Sequence, residues 1–185
     1  MAINVTRILI LVNVLFYVVC VIAYGGNIYS LPEEAIRIYA FHPFYFLFLG
    51  EYYRIITAFF IHANIIHLLF NMYALYVLGT IVEAYYGKKT LLVLYFIAGI
   101  CGNIASLIIP VYSLGSSAAV FGLLGLLVMY EKKRYGELGS IAAMLVVVLV
   151  LSNMIAPGQV NNLAHLAGVA VGLLYGRFVR VRVHE

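Results

Sequence analysis

Two stretches of this chain, Thr90 to Tyr130 and Leu138 to Gly176, contain no charged side chain. As a single helix each would be about 60 Å long at about 1.5 Å per residue, roughly twice the hydrocarbon core of a bilayer. Each must therefore fold back on itself. The first carries Pro110 and Gly115 near its middle and the second carries Pro157 and Gly158, residue types that end helices and make turns. Two other apolar runs complete the pattern. Ile8 to Tyr24 is one short span, and Ile55 to Val82, interrupted only by His62 and His67, holds one span plus its approach. The first is retained rather than removed as a signal peptide, because it lacks a small-residue cleavage pattern and the charge ledger below needs it. The fold class that follows is all-α, a polytopic membrane bundle of six spans in one domain over residues 1–185. With 65% hydrophobic and 10% charged residues and a mean hydropathy of +1.07, the chain is too apolar for a soluble domain with a wet surface.

An even number of spans puts both termini on one side. Arg7, Lys88, Lys89, Lys132, Lys133, Arg134, Arg177, Arg180 and Arg182 all fall on that side, leaving Arg37 and Arg54 opposite. Nine against two assigns it to the cytoplasm, with the cell membrane as the expected location. The same asymmetry accounts for the net charge of +4 without nucleic acid, since no basic stripe alternates with exposed aromatics. Membrane lipid is the expected surrounding. Cys20 and Cys101 lie within apolar runs and read as small buried side chains rather than a disulfide. The one long connection, about residues 25–54, lies on the outer side. Its aromatic part, Phe41 to Leu49, is too short to span and is expected in the interface.

Polar side chains at membrane depth are costly and ask for a reason. His67 and Asn71, four apart on the second span, share one helix face and can aim two donors at one point. Ser117 opens the fourth span just past Gly115, where free backbone N–H groups and the positive helix end favour a developing anion. Counted from the charges that end their spans, Ser117, Asn71 and His165 all lie about 18 to 25 Å up, in one layer. The small-residue stripes Ala118-Gly122-Gly125 and Ala164-Gly168-Gly172-Gly176 permit close approach of the fourth and sixth spans, which run parallel. Ser117 is one residue before its stripe and His165 one after its own, so opposite turns of about 100° point both to the same side. A hydroxyl and an imidazole so joined are a nucleophile and its base. The chain contains no Asp, and Glu83 lies about 18 Å below Asn71, so a dyad rather than a triad is expected. Ser116, the rival nucleophile, points about 100° away. His42 and His184 read as solvated, Glu83 as a structural hydrogen-bonding group, and His62 as a residue that caps or lines the site.

These residues carry a resemblance. His62-Ala-Asn-Ile-Ile-His67-Leu-Leu-Phe-Asn71, continuing to Gly79, Glu83 and Gly87, resembles the second span of rhomboid proteases and the loop before it. Gly115-Ser116-Ser117-Ala118, followed by Phe121-Gly122 and Gly125, is similar to their G-x-S-x nucleophile motif. Asn162-Leu-Ala-His165-Leu-Ala-Gly168-Val-Ala-Val-Gly172 is similar to their catalytic histidine span. The resemblance covers about residues 50–176 and implies a catalytic core over about residues 55–176. It implies a rhomboid bundle in which Ser117 attacks, His165 moves the proton, and His67, Asn71 and the Ser117 backbone N–H form the oxyanion hole. Phe121 stands where the family has an aromatic packing on the histidine. Many relatives have Gly where this chain has Ala118, and Trp-Arg where it has Tyr53-Arg54; neither departure removes a catalytic group. The implied substrates are single-pass membrane proteins cut near the outer face, with no cofactor and no metal. Two other functions remain open: a catalytically inactive rhomboid-like binding protein, and a metal or proton transporter suggested by the intramembrane histidines. Against the last stand the missing H-E-x-x-H, Cys cluster and intramembrane Asp.

Overall fold

The computed structural model describes residues 4–155 and 160–182. Pro157, Gly158 and His184 lie outside the described residues. The regular structure of the described chain is helical, with isolated bridges in place of strands. Helix α1 is Val5–Ala23; α2, α3 and α4 are the short Glu33–Tyr39, Pro43–Phe48 and Arg54–Thr57; α5 is Ile65–Tyr86, α6 Lys88–Ala105, α7 Ser117–Tyr135, α8 Ser140–Ile155 and α9 Asn162–Phe178. The long run from Thr90 folds back as expected. It forms α6, a 3-10 turn at Ser106–Ile108, an irregular stretch and then α7. Among the described residues three segments are long and apolar enough to cross a membrane, Val5–Ala23, Ile65–Tyr86 and Lys88–Ile108, while Ser140–Met154 is apolar but shorter. Helix α9 has 17 residues, and the last turns of α7 carry Glu131, Lys132, Lys133 and Arg134, so neither meets the length and composition of a full span.

Helix α7 is the centre of the bundle. Every residue from Ala118 to Val128 is buried, so its surroundings are protein on all sides, in keeping with a helix apolar all round. Small residues let its neighbours reach its backbone. A Cβ on Gly168 would strike the Ala118 carbonyl, one on Gly172 would strike the Gly122 carbonyl, and one on Gly125 would lie 2.5 Å from the Val169 carbonyl oxygen. On another side, Gly122 meets Ala98, and Gly102 of α6 meets Ala118 and the Ala164 carbonyl. Three helices therefore share one close-packed seam, and without a hydrophobic force between helices in lipid this contact is what holds them.

The outer helices are tied on by polar groups. Helix α1 buries Thr6, Leu9, Asn13, Tyr17 and Cys20, a stripe spaced three and four apart. Its first turn is capped from α5, because the Glu83 carboxylate accepts from the backbone N–H groups of Val5 and Thr6 and from the Thr6 hydroxyl at 2.8–2.9 Å. Helix α8 is held in the same manner, since Glu131 of α7 accepts from Gly139 N, Ile141 N and Ser140 Oγ. At the far end of α8 the amides of Asn153 and Asn162 exchange hydrogen bonds of 2.7 and 2.8 Å.

The segment 25–54 is more ordered than its sequence suggests. Arg54, 3% exposed, organises it: its guanidinium donates to the carbonyls of Arg37 and Ala40, pairs with Glu51 and lies 4.4 Å from the centre of the Tyr45 ring. His42 is half-buried rather than solvated. Its Nδ1 accepts from Phe44 N, capping α3, and its ring packs between Tyr45 and Tyr112. A backbone bridge, Phe41 N to Ser113 O and Ser113 N to Phe41 O, joins this segment to the stretch that leads into α7. Both cysteines are free.

Candidate active site

The chain enters α7 through Gly115, whose φ of +96° is open to glycine and strained for other residues. Its N–H donates to the Ala58 carbonyl at 2.8 Å, and a Cβ there would lie 2.7 Å from the His67 ring. Glycine is thus required twice, by its backbone angle and by the imidazole over it. Beyond this turn the two serines diverge. Ser116, 1% exposed, lies 3.4 Å from Asn71 Oδ1 and 3.5 Å from His62 Nε2 through its hydroxyl, and its N–H donates to His62 Nε2. Ser117, one residue on, lies on the other side with Oγ 2.8 Å from His165 Nε2.

His165 owes its position to α9. Asn161 caps that helix, accepting from Ala164 N, and donates through its own amide to Ser106 Oγ at 2.7 Å, which fixes the start of α9 to the end of α6. One face of the imidazole is covered by Phe121, with ring centres 4.4 Å apart and planes inclined by 30°. His165 is 6% exposed and its Nδ1 is buried without a hydrogen-bond partner, while Ser117 stays half-buried. For Nε2 to accept from the Ser117 hydroxyl, the proton of the neutral ring must sit on Nδ1. Among the described residues no carboxylate reaches Nδ1, and the bundle glutamates Glu83 and Glu131 bind the starts of α1 and α8 instead.

His67 and Asn71 lie on the same side of this centre as Gly115 and Ser116. Asn64 caps α5 by accepting from His67 N, and Asn71 Nδ2 donates to the His67 carbonyl at 2.9 Å. The amide orientation is therefore fixed at both ends, with Oδ1 toward Ser116. The His62 and His67 rings meet edge to face 5.0 Å apart, and His62 is fully buried. The structure thus unites Ser117 with His165 and Phe121, and groups His62, His67 and Asn71 around Gly115 and Ser116. Gly168 and Gly172 serve the helix contact beneath. Among the described residues no three His, Cys, Asp or Glu side chains are grouped to hold a metal ion.

Sequence reasoning missed several residues that position this centre: Asn161, Gly102, Ala98, and Asn103, whose amide donates to the Ile55 carbonyl. A signal existed for Asn161, an N-cap residue immediately before an apolar helical run. For Gly102 and Ala98 the signal was a small-residue spacing on α6 of the same kind as those noted on α7 and α9.

Residues 49–182 match the family model of the Rhomboid domain. Among curated relatives, rhomboid protease GluP of Bacillus subtilis is 38% identical over 127 residues, which is 66% of this chain and 25% of that protein. Rhomboid-like protease 5 of Toxoplasma gondii is 33% identical over 141 residues, covering 72% and 17%. RHOMBOID-like protein 7 of Arabidopsis thaliana is 33% identical over 132 residues, covering 68% and 42%. The chain thus spans less than half the length of each of these three relatives. A match that covers most of the chain and takes in Ser117, His165, His67 and Asn71, together with the apolar helices, makes this an integral membrane protein of the rhomboid family, whose members are typically intramembrane serine proteases.

Proposed function

We propose that this chain is a serine endopeptidase that cuts single-pass membrane proteins within the bilayer through a Ser117–His165 dyad. The observation that carries the reading is the 2.8 Å contact between Ser117 Oγ and His165 Nε2, made across two helices by side chains whose cost at membrane depth demands a return. In this mechanism His165 Nε2 removes the hydroxyl proton as Oγ bonds to the scissile carbonyl carbon. The resulting oxyanion is met by the Ser117 backbone N–H, which as the first residue of α7 has no partner inside the helix, by the Asn71 Nδ2 hydrogen that is not given to the His67 carbonyl, and by the His67 ring. His165 then returns the proton to the departing amine, and a water activated by the same nitrogen releases the acyl group. No cofactor enters any step.

The reading includes topology: one domain of six crossings, α1, α5, α6, α7, α8 and α9, with both described ends on the basic side and the dyad nearer the opposite face. Helices α8 and α9 would be about 24 and 26 Å long, short of a hydrocarbon core of about 30 Å. Local thinning of the bilayer accommodates that difference at modest cost. Helix α7 begins below the outer surface, so water reaches Ser117 from that side. A substrate must present a locally unwound segment, since an intact helix hides its carbonyls.

The test is cleavage of a single-pass substrate in proteoliposomes. Ser117→Ala is expected to abolish the cut while the protein keeps its helical content; continued cleavage by this variant would overturn the proposal. The inactive-binder alternative is separated by a fluorophosphonate probe, which labels an active enzyme and leaves a binder unmarked. The transporter alternative is separated by metal analysis of the purified protein.

A further inference from the structure

At the basic end of the bundle, far along α7 from Ser117, a cavity of about 280 Å³ is lined by Tyr86, Tyr130, Lys133, Arg134, Val179, Arg180 and Val181. The chain beyond α9 makes one of its walls, and that wall is fixed in place. Val179 N donates to Tyr175 O, Lys133 Nζ donates to Arg177 O at 2.8 Å, and Arg182 N donates to Tyr85 O at 2.8 Å. The Arg182 guanidinium lies so close to Gly87 that a Cβ there would collide with it. The floor is aromatic, with Tyr130 packed against Tyr85 and Tyr86.

Charge in this cavity is one-sided. Lys133, Arg134 and Arg180 line it, and among the described residues no carboxylate does. Glu131, the acidic residue beside them in sequence, is turned toward the start of α8, and among the described residues the ion pairs are Arg37–Glu33 and Arg54–Glu51, both in the segment 25–54. Tyrosines beside basic side chains at the ends of apolar helices mark the depth of lipid headgroups. Two arginines and a lysine lining a space of this size carry the kinds of donor that a phosphate group accepts, and the Lys133 ammonium keeps two hydrogens beyond the one given to Arg177 O.

We infer that this cavity binds the phosphate-bearing headgroup of an anionic phospholipid, with Lys133, Arg134 and Arg180 on the phosphate and the acyl chains leaving along the apolar helix surfaces. The site is separate from the dyad and stands whether or not the chain is a protease.

The test titrates short-chain phosphatidylglycerol and phosphatidylcholine into the full chain in an uncharged detergent, with bound lipid counted by native mass spectrometry. Phosphatidylglycerol is expected to bind about tenfold more tightly than phosphatidylcholine. The triple variant Lys133→Gln, Arg134→Gln, Arg180→Gln loses that preference. The double variant Lys88→Gln, Lys89→Gln, at the same end but outside the cavity, keeps it. Should the triple variant fail to fold, Arg180→Gln alone, on the chain beyond α9, is expected to weaken binding about threefold. Equal affinity for the two lipids, an unchanged preference in the cavity variants, or an equal loss in the Lys88/Lys89 control would each overturn the site. Displacement of the lipid by millimolar inorganic phosphate would overturn the lipid assignment and mark a soluble phosphate site instead.

Discussion

Helices α7 and α8 are consecutive, both apolar, and separated by one short turn, yet they stand at opposite extremes of packing. Eleven successive residues of α7 are buried, whereas no described side chain of α8 is. Backbone meets backbone where α7 passes α9 and glycine meets an alanine methyl where it passes α6, while α8 is fastened at its ends, by Glu131 at one and by the Asn153–Asn162 pair at the other. The contrast separates two tasks. The proposed mechanism needs Ser117 and His165 within hydrogen-bonding distance, which a glycine seam between the two helices provides. Helix α8 lays only partly buried side chains, Ile141, Leu145 and Leu149, against the core between its two fastenings, so a shift of α8 would disturb that distance less than a shift of α9, which makes α8, along with the 25–54 segment, a candidate for the element that admits a substrate.

The largest effect that could break this comparison comes from the seam. Gly172→Val and Gly168→Val drive a side chain into a backbone carbonyl of α7 and are expected to cost about 3 kcal/mol or more, the upper end for overpacking. Loss of monodisperse protein and of probe labelling reads this out; a fully labelled Gly172→Val protein would contradict a rigid seam. Next come paired truncations. Leu124→Ala on α7 opens a void in protein and is expected to cost about 2 kcal/mol, whereas Leu151→Ala on α8, 47% exposed, stays within about 0.5 kcal/mol. Equal losses in thermal unfolding for the two would erase the distinction.

Smaller still are the fastenings. Asn161→Ala removes an N-cap and the tie to Ser106, about 1 kcal/mol, and lowers labelling by moving the start of α9. Glu131→Gln with Asn153→Ala is expected to speed amide exchange within α8 while Ser117 labelling persists. Labelling lost in step with α8 protection would show that the two helices form one unit.

The seam shows how far the sequence could be read. The stripes on α7 and α9, and the one-residue offsets of Ser117 and His165 from them, hold enough information to bring the two side chains together, because glycine at a helix contact leaves few ways to pack. The fold-back after α6 was equally legible, since a bilayer's thickness admits no other course for so long an uncharged run. What stayed hidden depends on third bodies. Gly102 and Ala98 matter only once α6 is known to cover the other side of α7, and a pairwise reading of two helices does not supply that. Helices α2 and α4 escaped notice because they are too short to stand alone; Arg54, buried among carbonyls supplied by distant residues, organises the segment that contains them. The count of crossings is harder to read from the helices than from the runs, since α8 and α9 are shorter than a full span.

The central claim is that the Ser117 hydroxyl is activated by His165, and active-site labelling tests it most directly. Wild type, Ser116→Ala, Ser117→Ala and His165→Ala would be treated with a fluorophosphonate in the same membranes, and the modified residue mapped by mass spectrometry. The account predicts label on Ser117 in the wild type and in Ser116→Ala, and none in the other two. Label that persists in Ser117→Ala, or that maps to Ser116, would contradict it.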